Sequence, residues 1–263
     1  MYSQGRPCNY MSKKKTLGIL GGMGPVATVY FYKLITEHTV AARDSDHLNI
    51  LITSRADIPD RTDFIMGRTN VSPAPFMCRD AVALENMGAD VIAVPCNTAH
   101  YFHDDITAAV SIPVLNIVSI TADHVKRRGF TRAGILATEG TIRIGAYKRE
   151  LQKLGVGCVE PDEKTQAKVT EIIYDYVKAG RPGGDALFKR VAREMYERGC
   201  DCLILGCTEL SLVSDGDENT IDSLETLAYA SITACGGESC GFSDAFSKAY
   251  ETNISQDAVI HHI

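Results

Sequence analysis

Short apolar runs alternate along this chain with longer segments in which apolar residues recur every three or four positions. Runs of the first kind predict β-strands, and segments of the second kind predict amphipathic helices. The predicted strands cover residues 17–20, 49–53, 91–95, 114–118, 133–137, 156–159 and 202–205, with helices over 25–40 and through 78–87. This alternation is typical of an α/β fold, in which helices cover parallel sheets.

Two parts of the chain repeat one pattern, an apolar strand that leads directly to a cysteine. The two segments are Gly88-Ala-Asp-Val-Ile-Ala-Val-Pro-Cys96-Asn-Thr98 and Gly199-Cys-Asp-Cys-Leu-Ile-Leu-Gly-Cys207-Thr-Glu209. The segment 17–25 has a similar counterpart at 133–141. Such self-similarity predicts two similar α/β lobes. Because ligands of open parallel sheets bind beyond the carboxyl ends of the strands, Cys96, Cys207 and Thr138 are expected to line one cleft between the lobes.

The predicted division of the chain places residues 16–117 and 209–235 in lobe one and residues 118–208 in lobe two. The segment after Glu209 is thus expected to return to the first lobe. Residues 1–15 are polar and precede the first strand, so they are predicted to form a flexible tail. Residues 236–263 form a C-terminal extension, either an added helix or a mobile tail.

Composition narrows the class of partner. With 263 residues, 45% of them hydrophobic, the chain can bury a large core. A net charge of −6 without a long basic stripe argues against nucleic acid or an anionic membrane as the main partner, which leaves small molecules. There is no apolar run of about 18 residues and no N-terminal signal pattern. The nine cysteines, an odd number in a long chain, indicate free thiols in a reduced, cytoplasmic protein.

The repeated cysteine turns suit one kind of chemistry. Inverting a carbon acid that carries a carboxylate needs one base to remove the proton and one protonated group on the opposite face to return a proton. Thiols have a pKa of about 8.5, so a thiolate and a thiol can coexist near neutral pH. The alternative is that cysteines are small buried core residues, which we favour for Cys200 and Cys202. Polar residues directly after Cys96 and Cys207 favour a site there.

Metal and nucleotide sites are weaker interpretations of the same segments. Neither Cys96, His100 and His103 nor Cys200, Cys202 and Cys207 match the common C-x₂-C or H-x₃-H spacings, so we predict no metal site. The two histidines are expected on the helix after the Cys96 turn, where they either orient the thiol or face solvent. Segment 21–28 lacks both the G-x-G-x-x-G and the Walker pattern, so it indicates a tight turn or a close backbone approach to a ligand.

Two basic residues are candidates for binding an acidic ligand. Arg61 lies in Ile58-Pro-Asp-Arg-Thr62 after the second strand, and Lys178 ends a helical stretch before a turn. Arginine can pair with a carboxylate through two hydrogen bonds. Either residue could instead be a solvated surface charge, which is the usual fate of such residues.

Four motifs occur in a fixed order between residues 16 and 234: Gly-Gly-Met-Gly-Pro, Pro-Asp-Arg-Thr, Pro-Cys-Asn-Thr-Ala-His and Leu-Gly-Cys-Thr-Glu. In this combination the chain resembles the cofactor-independent aspartate/glutamate racemase superfamily, and most closely its aspartate racemase branch. The resemblance implies two Rossmann-like lobes related by a pseudo-two-fold axis, an active site in the cleft between them, no pyridoxal phosphate, and a homodimer.

The resemblance also implies roles for individual residues. Cys96 and Cys207 would be the paired acid and base. The other implied contacts with a small acidic amino-acid substrate are Met23, Arg61, Asn97, Thr98, Thr138, Lys178, Thr208 and Glu209. Glu209 would lie close to Cys207, and Arg61 and Lys178 would hold carboxylate groups. The match at Lys178 is looser than the others, because it depends on spacing from Cys207.

The leading hypothesis is therefore interconversion of L- and D-aspartate by proton transfer between two thiols. Racemisation of glutamate or of several acidic amino acids, and maleate isomerisation, would use the same cysteine pair. A non-catalytic two-lobed binder of an acidic metabolite is the alternative from another class. Thiol-disulfide redox chemistry is disfavoured, because the chain has no C-x-x-C motif at these positions.

Overall fold

A computed structural model describes residues 14–251. The predicted N-terminal tail therefore lies outside the described residues except for its last two positions, and so do residues 252–263 of the predicted C-terminal extension.

The first lobe is built on a four-stranded parallel sheet in the order β2-β1-β3-β4. Its central strand, β1, is buried along its whole length. The strands are β1 Leu17–Gly21, β2 Ile50–Ser54, β3 Val91–Ala93 and β4 Val114–Leu115. The helices are α1 Pro25–Glu37, α2 Arg61–Ile65, α3 Ala74–Asn86 and α4 His103–Ala109, with 3₁₀ turns at Asp44–Asp46 and Thr98–Phe102.

The second lobe repeats this design with a parallel sheet in the order β6-β5-β7-β8. Its strands are β5 Arg132–Ala137, β6 Gly157–Val159, β7 Cys202–Gly206 and β8 Thr220–Asp222. Its helices are α6 Glu139–Ile144, α7 Ala146–Lys153, α8 Glu163–Glu171 and α9 Gly184–Glu197, with a π-helix at Ile172–Lys178 and a 3₁₀ turn at Leu210–Leu212. Equivalent strands hold equivalent places in the two sheets, which confirms the predicted α/β fold with two similar lobes.

Two helices connect the lobes. They are α5 Ile117–Arg127 and α10 Ser223–Ala234, which pack against each other, and α10 also contacts α1 and β3. One continuous apolar core runs from Ile19 in the first sheet through α5 and α10 to Ile204 in the second. The lobes are thus joined by buried apolar surface as well as by covalent connections.

Two of the differences between the sequence predictions and the structure concern the division of the lobes and the start of α5. The second sheet continues past residue 208, because β8 pairs with β7 in parallel, so the return to the first lobe begins with α10. The predicted strand 114–118 ends at Leu115. The side chain of Asn116 accepts hydrogen bonds from the backbone N–H groups of Val118 and Ser119, at 3.0 and 3.2 Å, and this N-cap starts α5 at Ile117.

The described part of the C-terminal extension forms a helix, α11 Asp244–Glu251, which packs on α5. Phe246 and Ala249 are buried on its inner face. Phe246 also packs against Tyr229 of α10 and His124 of α5.

No helix within residues 14–251 is both long enough and apolar enough to span a lipid bilayer.

Candidate active site

Equivalent strand ends bring the two cysteines to one place. Cys96 follows β3 after a two-residue connection, and Cys207 directly follows β7, the equivalent strand of the other sheet. Both cysteines are buried and line a narrow cavity between the lobes. All ten predicted site residues line this cavity: Met23, Arg61, Cys96, Asn97, Thr98, Thr138, Lys178, Cys207, Thr208 and Glu209. The structure therefore brings together every residue selected from the sequence, although their roles remain predictions.

The glycine-rich turn after β1 positions one wall of the cavity. Gly22 has φ of 92°, and a Cβ atom there would lie 2.4 Å from the backbone of Arg55, so only glycine fits. Pro25 occupies the first turn of α1, as the sequence predicts. The turn places the carbonyl oxygen of Met23 at 2.9 Å from Nη2 of Arg61. The turn thus supports Arg61.

Arg61 is held by backbone carbonyls but retains a free donor. Its Nη1 donates to the carbonyl oxygens of Ile58 and Pro59 at 3.3 and 3.2 Å. The residue is 7% exposed, and its buried Nε–H has no hydrogen-bond partner among residues 14–251. Buried polar groups in proteins are nearly always paired. An unpaired N–H on a fixed cation beside a cavity is suited to an anionic ligand.

Cys207 belongs to a buried chain of polar contacts. Its thiol donates to Oε2 of Glu209 at 2.9 Å, and Oε1 of the same carboxylate lies 3.8 Å from Nζ of Lys178. Burial and the negative charge of Glu209 raise the pKa of the Cys207 thiol well above its usual value, although Lys178 acts in the opposite direction. Cys207 is therefore a neutral thiol without ligand. Burial lowers the pKa of Lys178, but nearby acidic groups, above all the negative charge of Glu209, outweigh this effect and raise it.

The π-helix at Ile172–Lys178 presents two side chains to the cavity. Tyr174 and Lys178 both line it, and Nζ of Lys178 lies 4.6 Å from the centre of the Tyr174 ring, within the range of a cation–π contact. Wide helical turns of this kind are frequent at functional sites. The ammonium group of Lys178 is thus held between an aromatic face and the carboxylate of Glu209.

Threonine hydroxyls from both lobes meet beside the cavity. Oγ1 of Thr98 lies 2.9 Å from that of Thr138 and 3.0 Å from that of Thr141. Thr138 also caps α6, because its Oγ1 accepts the backbone N–H of Thr141 at 3.2 Å. Hydroxyl groups both donate and accept hydrogen bonds, so this cluster can reorganise around a carboxylate or an ammonium group.

The two histidines after Cys96 support the backbone and do not contact the thiol. Nδ1 of His100 lies 2.9 Å from the carbonyl oxygen of Cys96, and its Nε2 accepts the N–H of Ile117 at 3.1 Å. Burial and the nearby His103 lower the pKa of His100 to about 4, so it is neutral. His103 Nε2 contacts the carbonyl oxygen of Val114 at 3.1 Å. Within residues 14–251, no three His, Cys, Asp or Glu side chains are arranged to hold a metal ion.

Three further residues line the cavity and were not selected from the sequence: Asp60, Thr62 and Tyr174. Asp60 and Thr62 flank Arg61 in a quoted motif, so adjacency could have indicated them. Tyr174 lies four positions before Lys178, which is a weaker signal. Cys200 and Cys202 are buried core residues, as predicted.

Comparisons with known proteins give the same family. A model of the Asp/Glu/Hydantoin racemase family matches residues 20–233. The chain is 29% identical to a broad-specificity amino-acid racemase of Bacillus subtilis over 216 residues, which cover 81% of this chain and 93% of that relative. It is also 28% identical to glutamate racemase of Aquifex pyrophilus over 157 residues, which cover 56% of this chain and 59% of that relative.

Solved structures of aspartate racemases are similar along nearly their whole length. Aspartate racemase of Picrophilus torridus superimposes with a TM-score of 0.79 at 31% identity, covering 89% of this chain and 99% of that one. An aspartate racemase homologue of Pyrococcus horikoshii gives a TM-score of 0.68 at 26% identity, covering 84% and 99%. With the family model matching most of its length, the chain belongs to the Asp/Glu/Hydantoin racemase family and is an isomerase of the amino-acid racemase type.

Proposed function

We propose that this protein interconverts L- and D-aspartate without a cofactor, using Cys96 and Cys207 as the two proton-transferring groups. The observation that carries the proposal is the placement of both thiols at equivalent strand ends on one narrow cavity between the lobes. Thiols that reach one small ligand from two lobes can act on opposite faces of its α-carbon.

The proposed reaction conserves protons between the two sulfurs. A thiolate on one side removes the α-proton and becomes a thiol, while the thiol on the other side gives its proton to the opposite face and becomes a thiolate. Because Cys207 is a neutral thiol that donates to Glu209, we assign it as the first proton donor and Cys96 as the first base. After one turnover the two roles are exchanged, and the enzyme is ready for the other enantiomer.

The preference for an acidic substrate is inferred from the cations on the cavity wall. Arg61 offers an Nε–H group that has no hydrogen-bond partner within residues 14–251, and Lys178 is held nearby. A carboxylate that accepts a hydrogen bond from a buried guanidinium gains more binding free energy than a neutral acceptor would, because hydrogen bonds between charged groups are stronger. The likeness to aspartate racemase structures supports aspartate, and the likeness to glutamate and broad-specificity racemases supports testing longer side chains beside it.

The test is α-proton exchange in deuterated water. The purified protein is incubated with L-aspartate and no added cofactor, and both deuterium incorporation and chirality are followed. Wild-type protein should form deuterated D-aspartate. Cys96→Ser and Cys207→Ser should each lose racemisation by at least about 100-fold, and either can retain exchange on one face. Cys158→Ser, in the half-buried thiol of β6, is the matched control and should keep full activity.

Different outcomes separate the alternatives. Full racemisation in either single serine variant would refute the two-thiol assignment. Faster turnover of glutamate than of aspartate would identify glutamate as the preferred substrate. Isomerisation of maleate would identify the protein as a maleate isomerase. Thermal stabilisation by aspartate without any exchange of its α-proton would favour a non-catalytic binder.

We also propose that the protein is a homodimer, as its resemblance to aspartate racemases implies. Light scattering coupled to size-exclusion chromatography should give twice the mass of one chain. A monomer that retains racemase activity would contradict this assembly without affecting the chemistry.

A further inference from the structure

A buried chain of hydrogen bonds passes through the side chain of Asn97. Its Oδ1 lies 2.6 Å from the hydroxyl of Tyr147, and its Nδ2 lies 3.0 Å from Oγ of Ser223. The Ser223 hydroxyl in turn lies 2.7 Å from the carbonyl oxygen of Leu205. All three side chains are buried, and only Asn97 lines the cavity between the lobes.

The direction of every bond in this chain follows from its last member. A carbonyl oxygen can only accept, so the Ser223 hydroxyl must donate its single hydrogen to Leu205. The Ser223 oxygen is then free to accept, and it does so from Nδ2 of Asn97. The amide is therefore oriented with Oδ1 toward Tyr147, which must donate its hydroxyl hydrogen. One Nδ2 hydrogen of Asn97 remains for a ligand.

The position of Tyr147 connects the two cysteine turns. Its ring packs against Gly206, where a Cβ atom would lie 3.0 Å from Cε2 of the tyrosine, and Gly206 directly precedes Cys207. Its hydroxyl reaches Asn97, which directly follows Cys96. Burial raises the pKa of Tyr147 far above its usual value, although the nearby Thr121 and Ser223 act in the opposite direction, so its hydroxyl stays protonated and can donate to Asn97.

We propose that Tyr147 and Ser223 are positioning residues, which fix the Asn97 amide so that its remaining Nδ2 hydrogen donates to a carboxylate oxygen of the substrate. This inference rests on the proposed racemase function, because it assumes an amino-acid carboxylate in the cavity. Without the Tyr147 hydroxyl, Oδ1 loses its partner and the amide can rotate to present an acceptor, which repels a carboxylate. The Asn97 contact would then weaken, although no substrate-binding atom has been removed.

Tyr147→Phe removes only the hydroxyl and keeps the ring that packs against Gly206. Binding of aspartate is measured by calorimetry in a Cys207→Ser background, in which the ligand is not turned over, and kinetics are measured with both cysteines intact. We expect Kd and KM to rise about tenfold, the effect of losing one hydrogen bond to a charged group, and kcat to change less than about threefold. The matched control is Tyr196→Phe, because the buried hydroxyl of Tyr196 has no partner among residues 14–251. It should leave Kd unchanged.

A double-mutant cycle separates positioning from general stability. If Tyr147 acts through Asn97, Tyr147→Phe should add less than about twofold to the Kd of an Asn97→Ala variant, whereas two independent effects would multiply. Ser223→Ala is the second test. It should raise the Kd for aspartate when Asn97 is present and should no longer do so in the Asn97→Ala background. An unchanged Kd in Tyr147→Phe, or effects that multiply with Asn97→Ala, would overturn the inference. Failure of the racemase function would show separately, as aspartate binding without α-proton exchange in the wild-type protein.

Discussion

Two charged side chains, Glu209 and Lys178, have opposite effects on the pKa of the Cys207 thiol. The carboxylate of Glu209 accepts the hydrogen of the thiol and thereby favours the protonated sulfur. Lys178 partly balances the negative charge of this carboxylate. Charges interact strongly in a buried site, because little water is present to screen them. Burial has the largest effect on the pKa of the Cys207 thiol, and the balance between one acidic and one basic side chain adjusts it further.

Two substitutions should shift the Cys207 pKa in opposite directions. Glu209→Gln removes a negative charge that raises this pKa, so the pKa should fall. Lys178→Met removes a positive charge that lowers it, so the pKa should rise further. The measurement is the pH dependence of alkylation of Cys207, followed by mass spectrometry of the peptide that contains it.

Thr208→Val is the control for these substitutions, because the Thr208 hydroxyl contacts the same Glu209 oxygen at 3.3 Å but carries no charge. It should shift the alkylation profile less than either charged substitution. Shifts in the same direction for Glu209→Gln and Lys178→Met would contradict the charge balance.

At the residue scale, the sequence predicts those site residues that lie next to strand ends. Cys96 and Cys207 could be found because each follows an apolar strand, and parallel strands of a lobe end at the same edge. Tyr147 and Ser223 could not be found in this way. They reach Asn97 across 50 and 126 positions of the chain, and such contacts depend on how α7 and α10 pack.

At the scale of elements, the apolar runs predict the strands β1 to β7, and β8 is missed. The strand β8 has only three residues and follows the polar segment 214–219, so no alternating pattern marks it. Ile117 and Val118 are apolar and β-branched, which favours a strand, but the Asn116 cap and the buried face of α5 make them helical. The π-helix at Ile172–Lys178 continues directly from α8, so amphipathic periodicity could not separate the two.

The contact between α2 and α6 closes one side of the candidate site, and Gly140 makes it possible. A Cβ atom at this position would lie 3.0 Å from Oγ1 and 3.1 Å from the Cα of Thr62. Gly140→Ala should therefore push the two lobes apart at this contact. We expect a loss of about 1–3 kcal/mol in the free energy of unfolding, which is typical of overpacking, and a rise in KM for aspartate. Denaturant unfolding and initial rates measure the two effects.

Gly157→Ala is the matched control for this substitution. Its added Cβ would have ordinary contacts, the nearest at 3.4 Å, and it lies on β6 away from the contact of the lobes. It should change KM by less than about twofold. Equal KM values for the two alanine variants would show that the α2 and α6 contact does not shape the cavity.

At the scale of the whole molecule, buried histidines connect stability to pH. Burial, followed by the charges of Arg128 and Arg127, lowers the pKa of His124 to about 3 from an ordinary value of 6.5. Below pH 6.5 the unfolded chain binds a proton at this residue and the folded chain does not, so acidification favours unfolding. The stabilisation from the neutral imidazole is complete above pH 6.5 and is lost as the pH falls toward 3.

We expect the free energy of unfolding to fall more steeply with acidification in the wild-type protein than in His124→Asn. The difference in slope between pH 6 and pH 4 should approach about 1.4 kcal/mol per pH unit, the value for one proton. Burial raises the pKa values of Asp222 and Glu225, and the charge of Asp222 raises that of Glu225 further. Acidification therefore favours folding at these two groups, but they are present in both proteins and their effect cancels in the comparison. Parallel slopes would contradict a buried neutral His124.

The unequal surroundings of the two thiols have a consequence for kinetics in the proposed reaction. Among residues 14–251, a carboxylate is hydrogen-bonded to the sulfur of Cys207 and none to that of Cys96, so the two directions of turnover begin from different chemical states. The two enantiomers nevertheless have identical free energies in water, so their equilibrium constant is one and kcat/KM must be the same for both enantiomers. Any ratio that Glu209 produces between the kcat values of the two directions must therefore be matched by the same ratio between the two KM values. The asymmetry can divide catalytic power between binding and turnover, but it cannot make the protein prefer either mirror form at equilibrium.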